Sequence, residues 1–386
     1  MVIKMTEVRL GQIANIFTGK CNAQDAVEDG IYPLFDRSGE VKKSDKYFAD
    51  CEAIIVPGES TTFIPRYYKG KFNLHQRAYC INPHEDVNGV FLYYLIKANS
   101  PYFFSVATGA TVASLRLNNF LKMKLNLPLR QAQDKIANIL STYDKLIENN
   151  DKRIAILEQE AEELYKEWFV RFRFPGHEKL KFVDGLPFEW SYARFKDIAT
   201  IIRGVSYSSD EIDVPEGNYL VNLKNIRSYG GYNFNEEKTY IGSYKGTQTL
   251  TKLDLIMGVT DMTQDRRCVG SVALCPEFDK PAIISADLIK ILSKYSNVFL
   301  YCHLKFGNYS KYISEFANGA NVLHLRPKYL ENIKILMPSK DLIEKFSSIC
   351  IPIFNNILNL VNQNNNLQNQ RDYLLPRLMS GKLEVK

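Results

Sequence analysis

One stretch limits what this chain can fold into more than any other, the run from about Gln131 to Phe169. Its apolar positions are Ile136, Leu140, Tyr143, Ile147, Ile154, Leu157, Ala161, Leu164 and Trp168, with Asn150 in the same series. The spacings alternate four and three without a break, the a/d heptad of a coiled-coil seam. No Pro or Gly interrupts it, and Leu157 to Lys166 consists of strong helix formers. At 1.5 Å per residue such a rod is roughly 58 Å long. A rod of this kind needs a partner for its seam.

The chain supplies one 210 residues later. Adding that offset to each seam position gives Phe346, Cys350, Ile353, Ile357, Leu360, Asn364, Leu367, Arg371, Leu374 and Leu378, eight of the ten apolar. With the helices antiparallel and their centres aligned, Asn150 falls opposite Asn364 and Tyr143 opposite Arg371. Parallel pairing would instead set Asn150 against Leu360 and Asn364 against Ile154. A buried Asn pair costs stability and fixes register, because a slip leaves an amide against hydrocarbon. The antiparallel arrangement is therefore expected, with Asn150 and Asn364 as its register residues. The faces left over after pairing, at Ile139, Leu146 and Ile156, are candidate docking surfaces.

Outside the rods the chain repeats itself. Arg9-Leu-Gly-Gln-Ile-Ala-Asn-Ile-Phe-Thr-Gly19 matches Arg194-Phe-Lys-Asp-Ile-Ala-Thr-Ile-Ile-Arg-Gly204 at an offset of 185. Ala107-Thr-Gly-Ala-Thr-Val112 matches Ala317-Asn-Gly-Ala-Asn-Val322 at an offset of 210, and the match runs on through Leu115-Arg116 to Pro128. The plan is domain, rod, domain, rod, with an internal pseudo-two-fold. Expected boundaries are 1–128, 129–172, 173–338 and 339–386. Short apolar runs such as Cys51 to Gly58, Leu253 to Thr260, Ala282 to Ser285 and Ile289 to Leu292 read as strands. Phe91 to Lys97 and Val298 to Lys305 read as short helices, and Gly30 to Lys46 and Pro215 to Gly246 as loops or irregular strands. The fold class is α+β: two globular α/β domains separated by two long antiparallel coiled-coil helices.

Composition narrows the function. The net charge of +6 is distributed as +3, −2, +3 and +2 over those four segments, so two mildly basic domains flank a slightly acidic rod. No run approaches twenty consecutive apolar residues, and the seven cysteines lack Cys-x-x-Cys spacing, as expected for reduced thiols in the cytoplasm. Five histidines without ligand spacing make a zinc site unexpected. Thr18-Gly-Lys20 resembles the end of a phosphate loop, but Gly11 is too far ahead and Cys21 stands where Ser or Thr would hold magnesium. Gly11 to Lys20 is better explained by packing of an early helix. No dinucleotide fingerprint, nucleophile elbow or Asn/Asp-Pro-Pro-Tyr/Phe tetrapeptide is present, and Glu162-Glu163 and Glu236-Glu237 read as solvated charges. No catalytic residue is assigned.

Each half does interleave basic, aromatic and hydroxyl side chains in expected loops. The first offers Thr61, Thr62, Arg66, Tyr67, Lys69 and Lys71, and the second Lys224, Arg227, Gln264, Arg266 and Arg267. Arg and Lys neutralise phosphates, and Arg and Gln can read base edges. The same clusters are equally compatible with plain solvated loops.

Leu127-Pro128-Leu-Arg-Gln-Ala-Gln133-Asp-Lys-Ile136-Ala-Asn-Ile-Leu140, with Leu164-Tyr165-x-x-Trp168-Phe169, resembles the central conserved region of type I restriction-modification specificity subunits. Leu374-Leu-Pro376-Arg-Leu378-Met-Ser-Gly381 resembles their distal region, and Leu186-Pro187-x-x-Trp190 the entry to their second recognition domain. Pro128-Leu129 and Ala132-Gln133 depart from the commoner Pro-Pro and Glu-Gln. The resemblance implies a non-catalytic subunit in which each globular domain reads half of a bipartite double-stranded DNA target. It implies that the helices set the spacer and dock two methyltransferase subunits, and that restriction/translocase subunits join them in the complex. S-adenosylmethionine, ATP and Mg2+ would be bound by those partners and none by this chain, with adenine methylation and ATP-dependent cleavage as the activities of the complex. Two other readings stay open: a recognition subunit of a methylation-based defence system without a nuclease, and a coiled-coil scaffold with no DNA role.

Overall fold

A computed structural model describes residues 5–109, 112–183 and 185–383. The chain divides into two compact units, one of residues 1–150 with 363–386 and the other of residues 151–362. Both long helices contribute a segment to each unit. They are Arg130–Tyr165, extended by a π-helical turn Lys166–Val170, and Lys340–Met379, which runs through Pro352 and Pro376.

The first unit is built on a six-stranded sheet in the order Ala14–Thr18, Ala78–Pro83, Ala49–Pro57, Arg66–Leu74, Tyr32–Phe35, Val41–Ser44. Neighbours are antiparallel except Tyr32–Phe35 beside Arg66–Leu74. The continuous apolar run Ala53 to Val56 is fully buried, as a central strand covered on both faces requires. One face packs on the helix Gly89–Ala98 through Phe91, Leu92 and Leu95, and the other closes over Phe35, Phe72 and Leu74. Met5–Arg9 pairs with Lys124–Pro128 and ties the start of the domain to its end.

The second unit repeats this plan with its sheet broken in two. Ala199–Arg203, Leu288–Ser293, Leu255–Gly258 and Val272–Leu274 form one four-stranded sheet, and Lys238–Tyr240, Asn218–Val221, Ala282–Ile284 and Thr249–Leu250 the other. Ser191–Arg194 pairs with Lys334–Met337 as Met5–Arg9 does with Lys124–Pro128. The helix Asn297–Phe306 occupies the place of Gly89–Ala98. Each carries a Lys four residues after a Tyr with the ammonium over the ring, Lys97 on Tyr93 at 6.0 Å and Lys305 on Tyr301 at 5.5 Å.

The repeated glycines have a backbone cause. A Cβ on Gly19 would lie 1.7 Å from the Leu74 carbonyl oxygen, and one on Gly204 2.0 Å from that of Ser285. Both mark the point where the chain leaves its first strand and runs against a neighbouring strand, as Val205 N–H does on Ile284 O at 2.8 Å. Gly19 is thus a close-approach glycine. The early helix expected over Gly11 to Lys20 is corrected to the single turn Leu10–Ile13, followed by the strand Ala14–Thr18, whose Ile16 and Phe17 suit a pleated sheet. Gly30 to Lys46 and Pro215 to Gly246 contain short strands, not loops alone.

Within the first unit the helical segments run antiparallel. Asn150 donates from Nδ2 to Asn364 Oδ1 at 2.9 Å with both amides buried. Six residues back, Asp144 accepts from Arg371, seven residues on. Arg371 therefore meets the carboxylate next to Tyr143, and the same carboxylate also accepts from Tyr94 Oη. The entry to the central helix is fixed by Gln133, 2 % exposed, whose amide donates to Pro128 O and accepts from Asn88 N–H, each at 2.9 Å. Asn88 in turn caps the helix Gly89–Ala98 and donates to Asp134 at 2.7 Å. Of the expected leftover faces, Ile139 is half-buried against the first core, whereas Leu146 and Ile156 are exposed.

Within the second unit, Phe346 is completely buried among Tyr165, Trp168, Phe169 and Phe299, with ring centroids 4.9–6.3 Å away. His303 lies beside this cluster, Nδ1 on Tyr165 Oη at 2.9 Å, and its buried Nε2 has no partner among the described residues. Burial lowers its pKa to about 4 from the ordinary 6.5. The unfolded chain therefore takes up a proton as pH falls through 6.5 and the folded unit does so only near 4. Stability of the second unit should fall across that window, by about 3 kcal/mol in all, and be indifferent to this group above it. Urea midpoints from pH 4 to 7 check this, and His303→Phe should flatten the slope.

Candidate nucleic-acid interface

In the first unit the segment that follows the central strand is pressed against the repeated turn. Leu115 N–H donates to Gly58 O at 2.8 Å and Ser60 N–H to Ala113 O at 3.2 Å. Thr108 and Ser114 exchange backbone hydrogen bonds at 2.9 and 2.8 Å, closing a turn around Gly109, whose φ of +122° favours glycine. Ala110 and Thr111 of that turn lie outside the described residues. Thr61 and Thr62 are exposed here, and Thr62 N–H is held by Ser60 Oγ at 3.1 Å. Behind them Glu59 accepts from Arg77 at 2.8 Å and from Arg37 at 2.7 Å, and the two guanidiniums hold its carboxyl below the usual range. Arg37 and Arg77 were not legible as site residues, because they are 40 positions apart and meet only through Glu59.

The remaining candidates of this half lie on the strand Arg66–Leu74, which corrects the expectation of a loop: Tyr67 to Phe72 pairs with Ala49 to Ile54. Arg66 turns inward and donates to Ser38 O at 2.5 Å and Asp36 O at 3.3 Å, its guanidinium over the Phe35 ring. It orders the 36–40 loop. Tyr67 Oη donates to Glu52 at 2.6 Å, and burial with that carboxylate raises its pKa. Lys69 and Lys71 are exposed, opposite Glu52 and Asp50 in the ladder, with the Lys71 ammonium 4.8 Å from the Tyr47 ring centroid. Arg66 and Tyr67 hold the domain together, and Lys69 and Lys71 face solvent.

The second unit builds the same arrangement from different residues. Asn318 and His324 exchange backbone hydrogen bonds at 3.1 and 2.9 Å, the equivalents of Thr108 and Ser114 at the 210 offset, and Thr260–Asp261 pairs with Leu323–His324. The loop 262–267 is organised by Asp261. Burial opposes ionisation of its carboxylate, but donors from Thr263, Cys268 and Val269 outweigh that, and its pKa lies below the ordinary value. Gln264 donates to Ala320 O at 2.9 Å, lacing the loop to the repeated turn. Arg267 pairs with Asp265 at 2.6 Å. Arg266, at φ +54°, forms no ion pair among the described residues and lines a cavity. Lys224 is exposed on the single turn Leu223–Asn225, and Arg227 reaches Glu158 at 3.8 Å. The structure thus gathers Gln264, Arg266 and Arg267 on one loop and sets Lys224 and Arg227 on another.

In each half a short loop of charged and hydroxyl groups is hydrogen-bonded beside the turn at Gly109 or Gly319. Such an array offers donors at fixed spacing to phosphates and base edges. Among the described residues no His/Cys/Asp/Glu group could hold a metal, and no helix is long and apolar enough to cross a membrane.

Residues 3–159 match the type I restriction modification DNA specificity domain. The chain is 27 % identical over 373 residues to the type I restriction enzyme MjaIX specificity subunit of Methanocaldococcus jannaschii, covering 92 % of this chain and 84 % of the relative. It is 25 % identical over 354 residues to the EcoDI specificity subunit of Escherichia coli, covering 86 % and 77 %. In fold it is similar to the type I restriction-modification S subunit of M. genitalium, with a TM-score of 0.66 at 18 % identity over 97 % of this chain and 96 % of that one. A matching specificity domain over residues 3–159, relatives that align along most of the chain and a shared fold make the chain similar to the HsdS subunits of type I restriction-modification systems.

Proposed function

We propose that the chain is the DNA sequence-specificity subunit of a type I restriction-modification complex, a recognition subunit that directs chemistry carried out by its partners. Residues 1–128 and 173–338 each read one half of a split double-stranded target. The helices in 129–172 and 339–386 set the unread spacer and dock two methyltransferase subunits, with restriction subunits joining them. S-adenosylmethionine, ATP and Mg2+ belong to those partners. The observation that carries the reading is the recurrence of one loop-and-turn arrangement, Thr108 with Ser114 and Asn318 with His324, behind side chains that differ between the halves. A shared frame with divergent polar groups suits two reading heads for two different half-sites.

Lys69 and Lys71 are exposed on the first half, and no ion pair engages either among the described residues. Lys69→Ala with Lys71→Ala should weaken duplex binding alike on every sequence. The slope of log K against log salt should become shallower by about 0.9 for each phosphate that is no longer neutralised. Binding of the subunit complex to duplexes across a salt series measures this. A salt-independent association would favour the scaffold reading instead.

A further inference from the structure

The two halves share a groove that only one of them fills. In the first unit the space between the helix Gly89–Ala98, the strand Arg66–Leu74 and the start of the central helix is a cavity of about 980 Å³. In the second unit the corresponding space measures about 30 Å³. The correspondence holds residue by residue. Tyr93 and Tyr301 take the same place on the paired helices, each with a Lys over its ring. Leu115 N–H on Gly58 O and Leu325 N–H on Val259 O set Gly58 against Val259. Ile54 then matches Leu255, and their cross-strand partners are Tyr67 and Leu274. At the 210 offset Asp144 matches Phe354, and Glu148 matches Leu358. Tyr67, Tyr93, Asp144 and Glu148 line the open cavity, and Leu274, Tyr301, Phe354 and Leu358 the filled one.

The filler is a loop that the first unit lacks. Between Tyr32–Phe35 and Val41–Ser44 the first unit has the short connection 36–40, whereas between Asn218–Val221 and Lys238–Tyr240 the second runs through 222–237. That loop is pinned by Gly231 N–H on Val272 O and by Asn233 N–H on Asn225 O, each at 2.8 Å. It brings Tyr232 and Phe234 to the space with ring centroids 5.0 Å apart, and Tyr301, Phe354 and Leu358 are buried there. The first unit keeps the same framework without the cover. Tyr67, Val90 and Tyr93 are only half-buried, and Val41 and Ile64 at the rim are 52 % and 59 % exposed. Tyr67 and Tyr93 form a tilted pair at 6.1 Å, a floor on which further rings can pack. On the helix wall Asp144 is engaged by Arg371, and the exposed Lys145 and Glu148 carry opposite charges. The wall therefore selects no net charge in what enters, and the aromatic floor selects rings.

We infer that the open groove of the first unit takes an aromatic loop of a partner protein, with two rings at alternate positions of one short segment, as Tyr232 and Phe234 stand in the second. The repeat carries the argument. The framework closes over such a segment where the chain provides one, and an apolar groove of this size is otherwise left facing water. The inference concerns a protein contact and does not rest on the recognition reading.

The test is calorimetric titration of the full chain with a synthetic peptide of residues 226–236, the chain's own filler, and with the same peptide carrying Tyr232→Ala and Phe234→Ala. Saturable one-to-one binding of the first is expected, and binding weaker by about tenfold or more for the second, which lacks both rings. In the protein, Ser141→Trp fills the groove from the helix wall and Ile64→Arg charges its exposed rim. Each should weaken the peptide by a similar factor, and Ile64→Arg should leave the unfolding midpoint unchanged. Absence of saturable binding would overturn the inference, as would binding that both variants leave unaltered. Tyrosine amide binding as tightly as the peptide would overturn it in favour of a small-molecule pocket. A dimer of the chain in sedimentation that Ile64→Arg abolishes would overturn it in favour of a second copy. None of these readouts involves DNA or methylation, so their failure is distinct from failure of the recognition reading.

Discussion

Phe346→Ala should destabilise the second unit by about 3–5 kcal/mol, the cost of a large cavity in a core that cannot collapse around it. Phe346 is fully buried and receives Tyr165, Trp168, Phe169 and Phe299 at ring distances down to 4.9 Å. Three of those four rings lie at the end of the central helix and the fourth on the helix Asn297–Phe306, so the vacated volume is shared by three elements. Edge-to-face pairing adds about 0.5–1.5 kcal/mol per ring pair beyond burial, so Phe346→Leu, which keeps most of the volume and removes the pairs, should cost about half as much. Urea unfolding followed by Trp fluorescence reports this, since Trp168 and Trp190 are the chain's two tryptophans and both are buried in that core. Equal loss for Ala and Leu would show that the cluster is held by its ring pairs and not by its volume.

The second large effect is a recovery. Asn150→Leu alone should cost about 1–3 kcal/mol, because it removes the 2.9 Å hydrogen bond donated to the buried Asn364 Oδ1 and sets a methyl against that oxygen. Asn364→Leu alone should cost a similar amount. Both together replace the amides with a Leu pair in an apolar seam, and stability should return to the wild-type level or exceed it. The interaction energy in this double-mutant cycle is then large and favourable, where two independent sites would simply add. Additive losses would mean that the two amides do not share a register. What the double variant forfeits is specificity of alignment, since Leu tolerates a slip of one heptad that Asn does not.

The seam was legible because heptad spacing is a local signal, and because Asn150 and Asn364 are polar at positions where the pattern demands hydrocarbon. The strands over Ala49–Pro57 and Leu288–Ser293 and the helices Gly89–Ala98 and Asn297–Phe306 were legible for the same reason. The strands Tyr32–Phe35 and Val41–Ser44 were not, being four residues each with a proline and three polar side chains between them. Their pairing is supplied by Arg66–Leu74, which borders Tyr32–Phe35 in parallel. At the candidate interface, residue type was legible and direction was not. Arg66 and Lys69 look alike in sequence, yet Arg66 points onto the carbonyls of Asp36 and Ser38 and Lys69 into solvent. The same limit hid Arg37 and Arg77, which become a pair only through Glu59. Gln264, of a residue type suited to reading bases, instead spans to the Ala320 carbonyl and fixes the loop on which Arg266 and Arg267 stand.

The claim on which the rest depends is that this chain chooses where DNA is methylated. The direct measurement is the methylome of the strain that carries the gene, compared with that of its deletion and of a complemented deletion, together with co-purification of an adenine methyltransferase on the chain. The account predicts a bipartite motif, methylated on adenine in both halves, that disappears on deletion and returns on complementation. Methylation unchanged by deletion, with no methyltransferase retained, would contradict it and leave a coiled-coil scaffold in its place.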